Sequence, residues 1–144
     1  MNITVVHRVV EKRELICAVA SYLAQVLKID NSRYNLIIYT VPGMAKNSGM
    51  NGAISKTGDR ELLMALDSRL SLEQMCTTIA HEMVHAKQHA KGQLKLYTKR
   101  NGEVGFKWLG RKYYTDYFDW PWEIEAFSRE RILTNKIIKL IKNG

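Results

Sequence analysis

One pair of histidines has the spacing of a metal site. His81 and His85 begin and end the pattern His81-Glu82-Met83-Val84-His85, which lies in a run of helical periodicity. Residues four apart on a helix lie one turn apart on the same face, so both imidazoles can reach one zinc ion. Glu82 can reach a water on that zinc without ligating the metal. The pattern therefore predicts a zinc site with Glu82 as general base.

Four residues are candidates for a third zinc ligand: His89, Asp119, Glu123 and Glu125. A straight helix places His89 about 12 Å along its axis from His81, so the ligand is expected from another element. Glu123 shares a partly apolar face with Phe127 and Leu133 that should turn inward, where a carboxylate needs a partner. Glu125 shares a mostly polar face and is expected to point into solvent. Periodicity favours Glu123; the alternative is that both glutamates only complement the helix dipole.

The helices and strands that must position these residues can also be predicted from the sequence. Their order indicates an α+β fold in a single domain, residues 1–144. The expected order is a helix, a three-stranded sheet, the HExxH helix, a β-hairpin and a C-terminal helix. A Ser71–Gln74 capping box begins the HExxH helix, and Pro121 lies in the first turn of the last helix. The predicted elements are a helix over 11–28, strands Tyr34–Val41, Gly52–Ser55 and Glu61–Leu66, a loop over 44–51, a helix from Ser71 to about Ala90, and a hairpin over 94–108 turning at Asn101–Gly102.

Composition narrows the class of protein. The chain is 46% hydrophobic and 25% charged, which excludes a disordered chain and a small disulfide scaffold. No apolar run approaches the roughly 18 residues of a membrane span. Charged residues come too early for a signal peptide. Cys17 and Cys76 lie in helix-like runs, so we expect reduced thiols and a cytoplasmic protein.

Positive charge is concentrated in one region of a chain whose net charge is +8. Residues 87–112 contain eight lysines and arginines against the single acid Glu103, interleaved with Tyr97, Phe106 and Trp108. Charge with stackable rings is typical of nucleic-acid binding. The alternative is a hairpin whose lysines protect a sheet edge and whose aromatic rings cover the core.

HEMVH followed by PWEIEA resembles the SprT-like zinc metallopeptidases, in particular small phage-encoded members, and more broadly the gluzincin group. The resemblance implies a zincin-like fold, a Zn²⁺ cofactor and hydrolysis of a DNA-bound or host regulatory protein in the cytoplasm (the host's, if phage-encoded). In gluzincins the first glutamate of an E-x-x-A pair is the zinc ligand, which maps onto Glu123. Many gluzincins orient a zinc histidine with an aspartate four residues later, where this chain has Phe127. In such proteases the strand before the active helix, here Glu61–Leu66, pairs with substrate.

The sequence therefore indicates two alternative functions. The first is a zinc metalloendopeptidase with ligands His81, His85 and Glu123, in which Glu82 activates a zinc-bound water. Its oxyanion donor is one of Tyr113, Tyr114 and Tyr117, unless these tyrosines only pack. The second is a basic module that binds nucleic acid or a host protein, with a structural or non-catalytic zinc. An open zinc position favours the enzyme, because a structural site is closed by four protein ligands.

Overall fold

The computed structural model describes residues 1–113 and 120–143, and these form eleven helices and strands. The last helix begins at Pro121, as the sequence predicts. The elements in chain order are β1 (Asn2–Val6), α1 (Val10–Val26), β2 (Asn35–Val41), α2 (Met44–Ser48), β3 (Gly52–Gly58), β4 (Glu61–Asp67), α3 (Leu72–Ala90), β5 (Leu94–Thr98), β6 (Val104–Trp108), β7 (Arg111–Tyr113) and α4 (Pro121–Asn143).

A small mixed sheet carries the core. Its strand order is β1-β2-β4-β3, with β1, β2 and β4 parallel and β3 antiparallel to β4. Leu36 and Ile38 of β2 and most residues of β4 are buried, and Ile38 and Met64 lie opposite each other in register. These side chains pack against buried residues of α1 and α3, including Ile16, Leu23, Ile79 and Met83. The predicted α+β class is confirmed, and α3 is held by the core on one of its sides.

Local sequence signals place the two helices of the site. Ser71 caps α3, because its hydroxyl accepts the Gln74 backbone N–H at 3.2 Å while the Gln74 side chain accepts the Ser71 backbone N–H. The predicted hairpin is also confirmed, with Gly102 in a left-handed conformation at its turn. β7 extends this hairpin to a second, three-stranded sheet. None of the described helices has the length and apolar composition that crossing a membrane requires.

Two predictions about strands and loops were wrong, and the sheet expected to have three strands has a fourth. The N-terminal strand β1 was not predicted, because its residues are only half-buried and depend on pairing with β2. The expected loop over 44–51 contains α2, whose first turn is held by Asp67 through the N–H groups of Gly43 and Ala45. Glu61–Leu66 was expected to bind substrate, but β4 is paired with β2 on one edge and β3 on the other. Its backbone is therefore not free to pair with a peptide.

Candidate metal centre

α3 and α4 pack side by side and bring three predicted ligand residues together. The Nε2 atoms of His81 and His85 each lie 3.0 Å from the same oxygen, Oε1 of Glu123. All three side chains are mostly buried, and their candidate ligand atoms lie within 4.8 Å of one another. We call these three residues the metal centre.

Hydrogen bonds fix the orientation and tautomer of His85. Both N–H groups of the Gln88 amide are donated, one to the Trp122 carbonyl at 3.0 Å and one to Glu125 at 2.9 Å. The amide oxygen of Gln88 therefore faces Nδ1 of His85, 2.8 Å away. An amide oxygen only accepts, so Nδ1 carries a proton. Nε2 faces Glu123, where it can bind a metal when the ring is neutral or donate its N–H to the carboxylate when the ring is protonated.

Glu130 fixes His81 in the same way. Its carboxylate lies 2.7 Å from Nδ1 of His81, which makes that nitrogen the donor and, in the neutral ring, leaves the lone pair on Nε2. Two imidazole lone pairs and a carboxylate oxygen thus converge, and such a set is stable only around a proton or a cation. Tetrahedral ligand atoms at the usual zinc distances are about 3.3 Å apart, close to the 3.0 Å between each Nε2 and Oε1 of Glu123. The residues present fit a metal ion.

The pKa values show how the three groups share charge without a metal. Burial lowers the pKa of His81 and of His85, but the hydrogen bond to Glu123 and the charge of Glu82 outweigh it and raise both. Burial raises the pKa of Glu123, but the hydrogen bonds from both imidazoles outweigh it and lower its pKa to about 2. Glu123 is therefore ionised, and protons compete with a metal at the histidines.

Glu82 lies beside the metal centre in the wall of a cleft. The cleft is a cavity of about 340 Å³ lined by His81, Glu82, Phe127, Glu130 and residues 49–52. Burial raises the pKa of Glu82, and the charges of His85 and His81 oppose that rise. A buried carboxylate of raised pKa at the edge of a solvent-filled cleft is suited to accept a proton from water.

The prediction that Glu125 points into solvent was wrong. Its carboxylate accepts a hydrogen bond from the Lys87 ammonium at 2.7 Å and another from Gln88. Lys87 is a buried residue of α3 and needs a partner there. Glu125 therefore supports the metal centre through Gln88, which also contacts His85.

The other candidate residues are placed apart from the metal centre or are not described. His89 is buried and not part of the ligand group, and burial and the charge of His85 lower its pKa to about 4. Tyr113 packs edge-on against Trp122. Asp119, Tyr114 and Tyr117 lie outside the residues that the structure describes.

Two supporting residues, Glu130 and Gln88, were missed by the sequence reasoning. Glu130 follows Glu123 by seven residues, which is two helical turns, so its spacing could have placed it on the same face. Gln88 follows His85 by three residues and meets it for the same reason. Phe127 was expected to turn inward but is 52% exposed, with its ring 4.6 Å from that of His81.

The basic hairpin covers part of the protein interior with its aromatic rings. Phe106 and Trp108 lie 5.3 and 6.3 Å from the ring of Trp122, which is 2% exposed. Lys107 and Lys112 lie over the ring of Tyr97. These contacts give the rings a packing role, while nucleic-acid binding by residues 87–112 stays a prediction.

Comparisons with other proteins give no guide to function, so function is inferred from the metal centre and the cleft beside it. No protein-family model, no curated protein and no solved structure matches the chain.

Proposed function

We propose that the chain is a zinc-dependent metallopeptidase that hydrolyses peptide bonds of a protein substrate. The observation that carries the proposal is the convergence of His81, His85 and Glu123, of which His81 lies in the wall of an open cleft together with Glu82. Structural zinc sites are closed by four protein ligands, whereas catalytic sites keep one position open. Within residues 1–113 and 120–143 the ligand group has three members, which supports catalysis.

The donor set favours zinc over harder cations. Two imidazole nitrogens and one carboxylate oxygen suit zinc, whereas calcium and magnesium prefer sites built of oxygen ligands. A zinc ion held by these three residues would supply Lewis-acid activation of a water and of the peptide carbonyl.

The side chains around the metal centre would handle the protons. Glu82 would accept the proton of the attacking water and deliver it to the nitrogen of the leaving amine. Burial helps both steps, because a raised pKa makes the carboxylate a better base and its protonated form easier to keep. Glu130 and Gln88 hold the imidazole rings in the orientation that directs both Nε2 atoms at Glu123.

The edge of β3 is the backbone that an extended substrate would use. Among the described strands β3 pairs with β4 alone, and its first residue, Gly52, lines the cleft together with His81. A Cβ at Gly52 would lie 2.6 Å from the Thr78 methyl group and 2.9 Å from the Ala65 carbonyl oxygen, so glycine lets the strand approach α3. A peptide added to this edge would run past Glu82, and main-chain hydrogen bonds would bind it.

The competing function, a basic nucleic-acid-binding module with a structural zinc, has less support. The described residues offer no fourth ligand at the metal centre. The hairpin rings of Phe106 and Trp108 pack on Trp122, so those contacts are not free for stacking on bases.

Cleavage by matched carboxylate variants tests the proposal. Zinc-loaded wild type, Glu82→Gln and Glu73→Gln are incubated with a cell lysate, and new peptide termini are identified by mass spectrometry. Glu73 is an exposed acid in the first turn of the same helix, so its variant controls for loss of charge. Loss of the base should lower the cleavage rate by roughly 10²–10⁴ while zinc is retained. Equal cleavage by Glu82→Gln and wild type would overturn the assignment of Glu82.

A further inference from the structure

A second cavity lies at the carboxyl ends of the parallel strands. It measures about 630 Å³ and shares no lining residue with the cleft. Residues that follow β1 and β4 line it, together with the end of β2 and the start of α1. Ligands of open α/β sheets bind at this place, because the loops there diverge and leave a crevice. We call it the strand-end cavity.

Three cationic side chains face the strand-end cavity without an acid to balance them. Arg8 lies in the turn before α1, Lys12 lies in the first turn of α1, and Arg69 follows β4. Among the residues that the structure describes, no aspartate or glutamate lines the cavity. Throughout the described ranges 1–113 and 120–143, none of the three forms an ion pair with a carboxylate. Like charges held together repel each other, so the cavity favours an anion.

The acid nearest to Arg69 in sequence is already engaged. Asp67 is 5% exposed, and its carboxylate accepts the backbone N–H groups of Gly43, Ala45 and Arg69 at 3.2, 2.8 and 2.9 Å. Its charge therefore holds the loop after β2 in place. The guanidinium of Arg69 remains available to the cavity.

Polar groups around the three cations also favour an anion in the cavity. Helix α1 begins after Val9, a residue with no side-chain cap, so the N–H groups of its first turn have no side-chain acceptor there. His7 shares a hydrogen bond of 2.7 Å with the Thr40 hydroxyl. Desolvation and the charge of Lys12 lower the pKa of His7, as a positive local field requires. Lys12 is held in place by the Ser68 carbonyl.

We propose that the strand-end cavity binds the phosphoryl group of a small phosphorylated molecule about the size of a nucleoside monophosphate. Arg8 and Arg69 would bind the phosphoryl oxygens through their guanidinium groups, with Lys12 as a third positive charge. The volume falls in the range of roughly 300–1,000 Å³ found for small-molecule sites, so an organic group fits beside the phosphate. Val9 and Pro42 give that group apolar contact.

Calorimetric titration of the full chain tests this proposal. The probes are adenosine monophosphate, ribose 5-phosphate, inorganic phosphate and adenosine, at fixed ionic strength. We expect the two phosphate esters to bind with a Kd below about 1 mM, inorganic phosphate to bind more weakly, and adenosine not to bind. Arg8→Gln and Arg69→Gln should each weaken the binding of adenosine monophosphate at least tenfold.

A charge-matched variant separates a built site from general attraction to a basic protein. Arg131 is an exposed residue of α4 outside the cavity, so Arg131→Gln removes the same charge elsewhere. Equal weakening by Arg8→Gln and Arg131→Gln would overturn the proposal. Binding of adenosine as tight as that of its monophosphate would also overturn it, as would binding of a DNA oligonucleotide without any binding of the small phosphates. Thermal melts check that Arg8→Gln and Arg69→Gln remain folded.

Discussion

The two sides of the metal centre are built differently. On the cleft side, His81 is oriented by Glu130, which is partly exposed, and flanked by the exposed ring of Phe127. On the buried side, His85 is oriented by Gln88, which is fully buried and linked to Glu125. Two histidines on one helix face therefore have unlike surroundings. The cleft side borders a cavity, while the buried side fixes the packing of α3 against α4.

The largest expected effect comes from the ligands, which belong to both sides. His81→Ala, His85→Ala and Glu123→Gln should each lower zinc affinity by more than about a hundredfold, beyond the loss that a supporting residue causes. Glu125→Gln, on the same helix turn as Glu123, should lower it by less than about tenfold. Competition with a zinc chelator measures all four. Full zinc retention by both histidine variants would contradict the metal centre. A larger loss of affinity in Glu125→Gln than in Glu123→Gln would make Glu125 the ligand.

The buried side should dominate stability. Glu125→Leu leaves the Lys87 ammonium buried without its partner, and breaking a buried pair of this kind costs about 3 kcal/mol of unfolding free energy, less where water reaches Glu125. Chemical denaturation of the metal-free protein measures the change. The double variant Lys87→Met/Glu125→Leu is the control, because it removes the stranded charge and should recover most of the loss. An equal loss in both variants would show that the ion pair is not the cause.

Of the residues that support the ligands, Glu130 on the cleft side should affect zinc affinity most. Glu130→Gln replaces a charged acceptor at His81 Nδ1 by a neutral one, which should weaken zinc binding by about 10- to 100-fold. Its stability should change little, because Glu130 is partly exposed. Glu125→Leu should show the opposite pattern, with a large stability loss and a small change in affinity. The same pattern in both variants would remove the distinction between the two sides.

The smallest expected effect is the response of the metal-free protein to pH. The folded pKa values of His81 and His85 lie above the ordinary value of 6.5, so their stabilising contribution is fully present below pH 6.5. That contribution is lost as pH rises through the raised folded values. Stability should therefore fall as pH rises above 6.5, while zinc affinity rises. The variant Glu123→Gln lacks the charged acceptor, so its stability should fall less as pH rises. An unchanged fall in stability would show that other groups cause it.

Local signals explain what the sequence predicted. The Ser71–Gln74 capping box and Pro121 begin the two helices of the site, and both signals act within a few residues. The i, i+4 spacing predicts that His81 and His85 share a face, and periodicity favours Glu123 as the acid that turns toward them. The structure brings these three residues together.

Contacts between distant segments explain what the sequence did not predict. Strand β1 forms by pairing with β2, and α2 depends on Asp67, more than twenty residues away. The ion pair of Lys87 with Glu125 exists only because α3 and α4 pack together, so helix periodicity alone placed Glu125 in solvent. The zincin-like fold and the peptidase activity remain proposals.

Zinc K-edge X-ray absorption of the reconstituted chain tests the central claim most directly. The account predicts one zinc per chain, with scattering from two imidazole rings and from oxygen ligands at about 2.0–2.2 Å, and no sulfur. Sulfur scattering at about 2.3 Å would place the metal at Cys17 or Cys76 instead. That result, or a chain that binds no zinc, would contradict a metal centre formed by His81, His85 and Glu123.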